Sequence, residues 1–216
     1  NRAAEAMADF PLVLEGDVHY CGFNSPKSYG GNSYFLRHPA GNWLVDAPKW
    51  QTRLVRRFED MGGIDRIFLT HRDDVADAER YAQHFNARRI IHRDELDSQP
   101  GAEDVIDGRD PIALADDFLA IPTPGHTRGH CVLLYRERFL FTGDHLWWDR
   151  GDERLGASRS YCWYSWPEQI RSMERLLEYP FEWVLPGHGQ RAHRPADEMH
   201  ARLIELVARM KSPLAA

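Results

Sequence analysis

The sequence predicts an α/β (α+β) chain: two mixed β-sheets packed together, with helices outside. Three observations predict it. Short β-like runs gather in two stretches, each followed by helices with one apolar face. Strand and helix alternate between residues 51 and 92. No repeat, low-complexity tract or linker interrupts the 216 residues, so a single domain over 1–216 is expected.

Each element has its own justification. "PLVLEGDVHY", "NSYFLRH" and "NWLVDA" are apolar runs set off by the turn-prone "YGGN" and "PAGN". "QTRLVRRFEDMG" places Leu54, Val55 and Phe58 on one helical face, with Gly62 near its end. "IDRIFLT" reads as a buried strand. Residues 75–85 read as a helix with Ala78, Ala82 and Phe85 in register, and "RRIIH" as another strand. In the second half "DDFLAIPTP", "HCVLLYRE" and "RFLFTGD" read as strands. Ser165-Trp166-Pro167-Glu168 has the form of a capping box opening a helix that carries Ile170, Met173, Leu176 and Leu177. "FEWVLPG" is a strand. The last helix, from about 195 to 211, carries Met199, Leu203, Leu206, Val207 and Met210 on one face.

Composition narrows the function classes. The net charge of -6 weighs against nucleic acid as a partner. No apolar run approaches the roughly 20 residues that cross a bilayer. The N-terminal "NRAAEAMADFPLVLEG" lacks the apolar run of a secretory signal and begins without Met, as a chain trimmed from a longer product would. Cys21, Cys131 and Cys162 are odd in number and widely spaced, which is no disulfide framework and points to a reducing compartment. The expectation is therefore a cytoplasmic protein acting on a small molecule, without nucleic acid or membrane, with a homodimer as an admissible assembly.

Histidine, carboxylate and glycine recur where strands end, in "LTHRDD", "PTPGHTRGH", "FTGDH" and "VLPGHG". Strand-end loops on one sheet edge converge in space, so His71, His126, Asp144 and His188 are candidate ligands of a shared metal site. Imidazole and carboxylate donate the lone pairs a metal needs. The glycines at 125, 143, 187 and 189 permit the tight turns. The bland alternatives are a turn role for His188 and helix-capping roles for Asp73 and Asp74 ahead of Val75. His130 and His145 read as supporting or core residues, with His145 a secondary candidate for handling a leaving group. Trp147, Trp148, Trp163 and Trp166 fall within one stretch, "DHLWWDRGDERLGASRSYCWYSW", read as a long loop. They are either core filler or the lining of an aromatic mouth suited to an apolar or ring-bearing substrate.

"TPGHTRGH", "LFTGD" and "LPGHG", in that order after "LTH", resemble the metallo-β-lactamase fold superfamily in its glyoxalase II-like branch. The resemblance implies a four-layer αββα sandwich. It also implies that His71 and His126 belong to a first metal position, that Asp144 bridges, and that His188 belongs to a second. The chain departs from the family's H-x-H-x-D-H loop. Counted from His71, Asp73 stands for the second histidine, Val75 for the aspartate and Ala76 for the last histidine. With two extra residues in the loop, Asp77-Ala78 takes the place of Asp-His. The second position is impoverished either way. The expectation is one divalent ion (Zn, Fe or Mn) held by His71, Asp73, His126 and Asp144. A carboxylate in that set favours Fe or Mn more than three histidines would. His188 is both a metal candidate and, with Asp73 and Asp77, a catalytic candidate. The function expected is a metal-dependent hydrolase of a small ester, thioester, lactone or related substrate. The rival expectations are an iron-binding redox protein and a non-catalytic scaffold with a vestigial site.

Overall fold

A computed structural model describes residues 9–212. Most of the N-terminal segment read for a signal lies outside them. By their contacts the residues form two compact units. The first holds the chain up to Leu69 with Asp73–Ile90 and Gln99–Asp104; the second holds Thr70–Arg72, Ile91–Ser98 and the chain from Val105 onward.

The first unit carries most of a seven-stranded sheet: β1 (Leu12–Glu15), β2 (Val18–Tyr20), β3 (Tyr34–Leu36), β4 (Trp43–Val45), β5 (Arg66–Phe68), β6 (Arg88–His92) and β7 (Asp104–Ile106), in that order across the sheet. β1 to β4 form an antiparallel meander, whereas β4, β5 and β6 run parallel. Parallel neighbours need crossovers. These are helix α1 (Thr52–Asp60) and helix α2 (Ala78–Phe85). α1 buries Leu54, Val55 and Phe58, as its periodicity requires, and Phe58 stacks on Phe35 with ring centroids 4.7 Å apart. "PLVLEGDVHY" is not one strand but two, turning at Gly16.

α2 begins at Ala78, three residues later than the sequence suggests, and Asp74 does not cap it. Ala76 has φ 36°, which is incompatible with a helix there. Asp77 stands at the N-cap, but its carboxylate accepts from Trp50 N–H at 2.8 Å and Lys27 Nζ at 2.6 Å instead of the helix's own amides. Asp74 lies buried in a 3-10 turn, Arg72–Asp74, packed where a side chain at Gly31 would otherwise sit.

The second unit carries a six-stranded sheet ordered β15-β14-β11-β10-β9-β8. In chain order its strands are β8 (Ile112–Ala115), β9 (Phe118–Pro122), β10 (Cys131–Tyr135), β11 (Phe139–Gly143), β14 (Trp183–Pro186) and β15 (Ala192–His193). β8 to β11 are antiparallel in succession, and β14 pairs parallel with β11. β9, β11 and β14 therefore run in one direction and end at one edge. The stretch expected as a bare loop forms a hairpin, β12 (Trp147–Asp149) with β13 (Arg154–Gly156), then a 3-10 turn, Arg159–Tyr161. Two helices complete the unit: α3 (Trp166–Leu176) and α4 (Ala196–Met210). Ser165 caps the helix, its Oγ accepting from Glu168 N–H at 3.3 Å, but the reciprocal half of a capping box is missing, because the Glu168 carboxylate pairs with Arg109 and Arg171. Met173 and Leu176 of α3 share a core with Met199, Leu203, Leu206, Val207 and Met210 of α4 and with Val132, Leu140 and Val184 of the sheet. The expected architecture of two mixed sheets with helices is thus what the chain adopts. No helix among the described residues is long and apolar enough to cross a membrane.

Leu203 has no exposed surface in this core. Leu203→Ala is expected to destabilise the fold by about 2–5 kcal/mol, through lost burial and the cavity left behind. The midpoint of urea unfolding monitored by circular dichroism checks it.

Candidate metal centre

Three of the four strand-end residues follow from the direction of the second sheet. His126 lies in the turn after β9, Asp144 directly after β11 and His188 two residues past β14. His71 is brought to the same edge because Thr70 C=O accepts from Cys131 N–H, the first residue of β10, at 2.9 Å. At Gly143 the chain turns with φ 50°, and a Cβ there would stand 2.5 Å from His130 Nε2 and 2.7 Å from Thr70 Oγ1. Only glycine satisfies both demands.

The resulting cluster is compact. His71, His126 and Asp144 each offer one ligand atom within 4.8 Å of the others. Nε2 of His71 and Nε2 of His126 both lie 3.5 Å from Asp144 Oδ2. Donors about 2.0–2.1 Å from a tetrahedral ion stand roughly 3.3 Å from one another, so the spacing suits a metal better than a direct hydrogen bond. The other oxygen, Asp144 Oδ1, accepts from His188 Nδ1 at 2.6 Å. Asp144 thus joins His188 to the two buried imidazoles. Burial works against its charge, but electrostatic attraction to His71 and the hydrogen bond from His188 outweigh it and hold the carboxyl well below the usual range.

The surroundings fix how each ring points. His126 Nδ1 hydrogen-bonds Tyr161 C=O. A carbonyl only accepts, so this nitrogen carries the proton and Nε2 keeps its lone pair. His71 Nδ1 lies 2.9 Å from Thr70 Oγ1. Asp144 N–H donates to His130 Nε2 at 3.2 Å, which leaves His130 Nδ1–H for Thr123 Oγ1 at 2.9 Å. Burial, then repulsion from His71, holds His130 well below its ordinary pKa. His145 is fully buried, and burial, then His126, pushes it down to about 3. Its ring has no exposed surface.

Not every candidate joins this cluster. Asp73 stands on the turn Arg72–Asp74, and its carboxylate is not among the three clustered donors. Asp77 gives its oxygens to Lys27 and Trp50 in the first unit.

The structure also shows supports that carry no motif. Glu95, 1% exposed, accepts from Gly129 N–H at 2.7 Å through Oε1 and from Arg72 Nε at 2.8 Å through Oε2. One carboxylate therefore braces the segment after His71 against the turn that holds His126. Segment 161–165 grips the same turn. Trp163 N–H reaches His126 C=O at 2.9 Å, Ser165 N–H reaches Gly125 C=O at 3.0 Å, and Cys162 Sγ donates to Gly125 C=O at 3.1 Å. The "GHTRGH" string hinted at the turn, but nothing in sequence connects Glu95 or Tyr161 to it.

Fold and cluster are those of a candidate metal site, and the family model for the metallo-β-lactamase superfamily matches residues 27–188. The chain belongs to that superfamily. A hydroxyacylglutathione hydrolase of Salmonella arizonae is 28% identical over 116 residues, covering 52% of this chain and 46% of its own. The matched stretch thus spans about half the length of such relatives. Among solved structures, the metallo-β-lactamase FIM-1 of Pseudomonas aeruginosa in its mono-zinc form has a TM-score of 0.68 at 18% identity, over 94% of this chain and 96% of its own. A protein solved in a di-iron-bound form has a TM-score of 0.63 at 23% identity, over 90% of this chain and 98% of its own. These likenesses establish the fold.

Glu95→Ala should leave the buried Gly129 N–H without an acceptor and Arg72 with Asp97 as its remaining acid. The expected cost is about 1–3 kcal/mol of stability. Metal affinity should weaken on the order of tenfold, as when groups that orient ligands are removed. Chemical denaturation and metal titration of the same variant read the two effects.

Proposed function

We propose that the chain is a metal-dependent hydrolase whose site holds one divalent ion through His71, His126 and Asp144, acting on a small ester, thioester or lactone. The observation that carries this is the pair of Nε2 atoms, each 3.5 Å from the same carboxylate oxygen. Two histidines and a carboxylate are a donor set used by hydrolytic zinc sites, which keep one position open for water. An ion held there lowers the pKa of bound water and polarises a carbonyl oxygen.

The chain's own groups divide the remaining work. Asp144 neutralises the buried pocket and orients His188 through Oδ1. His188, with its side chain 33% exposed, is the cluster's solvent-facing member and is suited to carry a proton to the leaving group. Tyr161 C=O and Thr70 Oγ1 keep the two imidazoles aimed. Beyond Asp74, the segment that would supply a second ion's ligands offers Val75, Ala76 and Ala78, which hold no metal, and Asp77 is committed to Lys27 and Trp50. This supports a mononuclear site.

The same donor set favours a second reading. Two histidines and one carboxylate also form the facial triad of non-haem Fe(II) proteins. Elemental analysis of protein made without added zinc separates the two readings: zinc or manganese alone removes the iron one.

The parent protein is expected to hold about one equivalent of metal, and His126→Ala well below one, because three donors reduced to two are too few. Inductively coupled plasma analysis after dialysis is the measurement; unchanged content in the variant overturns the ligand assignment. Removal of the ion with a chelator should abolish turnover of a thioester panel and its return should restore it. Cephalosporin hydrolysis, followed by absorbance, should be slight, since Val75, Ala76 and Ala78 offer no donor and Asp77 is committed to Lys27 and Trp50.

A further inference from the structure

Within the second unit a groove of about 520 Å³ lies between the β12–β13 hairpin, the start of α3 and the end of α4. Its size is in the range of small-molecule sites. Its walls combine two indole rings, Trp147 and Trp166, with three guanidinium groups, Arg154, Arg159 and Arg209. Asp149 is the single acid in this lining, and its Oδ1 already accepts from Gly151 N–H at 2.8 Å. Arg154 pairs with Asp152, and Arg209 donates to Leu155 C=O at 2.6 Å. Arg159 is exposed, and no acid pairs with it among the described residues. Burial, then the neighbouring Arg154, lowers the pKa of Arg209, as crowding of like charges does.

Two parts of the lining border loops of the candidate metal centre, whose donors His71, His126 and Asp144 do not themselves line the groove. Trp147 packs over the turn after His188: a Cβ on Gly189 would stand 2.6 Å from its Cγ. The lining residues Arg159 and Ser160 lead directly into Tyr161, whose carbonyl holds His126. A molecule in the groove would therefore touch Trp147, which packs on the turn after His188, and Arg159, two residues before Tyr161.

From this we infer that the groove seats the non-reacting part of the substrate, with Arg159 recognising a carboxylate or phosphate group and the Trp147 and Trp166 rings contacting an apolar or ring-bearing portion. The inference rests on the hydrolase reading for what reacts, but not for what binds. A guanidinium offers paired donors matched to either anion, and aromatic faces take apolar carbon beside it. The substrate class is thus an anionic ester or thioester with an apolar segment.

Binding can be tested apart from catalysis. Chelator-treated protein is titrated with benzyl phosphate, phenylacetate and neutral benzyl alcohol by isothermal calorimetry. Either anion should bind more tightly than the alcohol, and the tighter of the two names the charged group. Arg159→Gln should weaken the anion on the order of tenfold, the loss of a charged hydrogen bond. Arg159→Lys should restore part of it, and His126→Ala should leave it unchanged. Arg159 is exposed, so an unchanged melting curve will show that the variants fold. In the metal-loaded enzyme, Arg159→Gln should raise KM for an anionic thioester and leave kcat within about twofold, with no change in KM for a neutral one. Equal binding of all three probes, no binding of any, or indifference to Arg159 overturns the groove assignment. Metal binding at His126 is measured separately, so the failure of either reading shows without the other.

Discussion

The carboxylate of Asp144 is the group around which the site is organised. It emerges at the end of a strand whose five residues are all buried, and its charge must be compensated where it stands. One oxygen faces two imidazoles and the other takes His188. Its backbone N–H is held by His130, which Thr123 holds in turn. The position of four histidines therefore depends on where β11 stops. That stopping point is set by Gly143, where the chain turns left-handed with no room for a side chain. Sheet direction, glycine chemistry and charge compensation converge on one residue.

The sequence made the strand-end histidines and the aspartate legible because each follows an apolar run directly, and strand ends at one edge meet whatever their separation along the chain. The helices were legible from apolar periodicity, with the Ser165 cap and the buried face of the last helix as clear cases. The start of α2 was not, because Asp77 bonds partners 27 and 50 residues away, and such partners leave no local mark. The hairpin was hidden for a related reason. Its strands are three residues each, and Trp148 is drawn into the core of its unit while Trp147 packs on a glycine turn. A cluster of tryptophans in sequence thus splits into different environments in space. Glu95 is the clearest omission, since its two bonding partners lie 23 and 34 residues away.

The altered loop has structural duties of its own. Asp77 ties down Lys27 and the Trp50 amide, while Asp74 lies buried beside Gly31. A carboxylate committed to such bonds, as Asp77 is, stabilises its own surroundings and has fewer lone pairs left for an ion. In the first unit Asp77 serves backbone order. The donors His71, His126 and Asp144 all lie within the second unit, supplied by other segments.

Segment 161–165 makes a set of short bonds to the Gly125–His126 turn while leaving Tyr161 and Trp163 63% and 64% exposed. An aromatic surface beside a reactive centre is often carried by a mobile flap that closes over the substrate. Here the segment's backbone is hydrogen-bonded to the very turn that presents His126. Lifting its aromatic surface would break those bonds or carry the His126 turn along, so the exposed rings and the buried imidazole are tied into one piece of chain geometry.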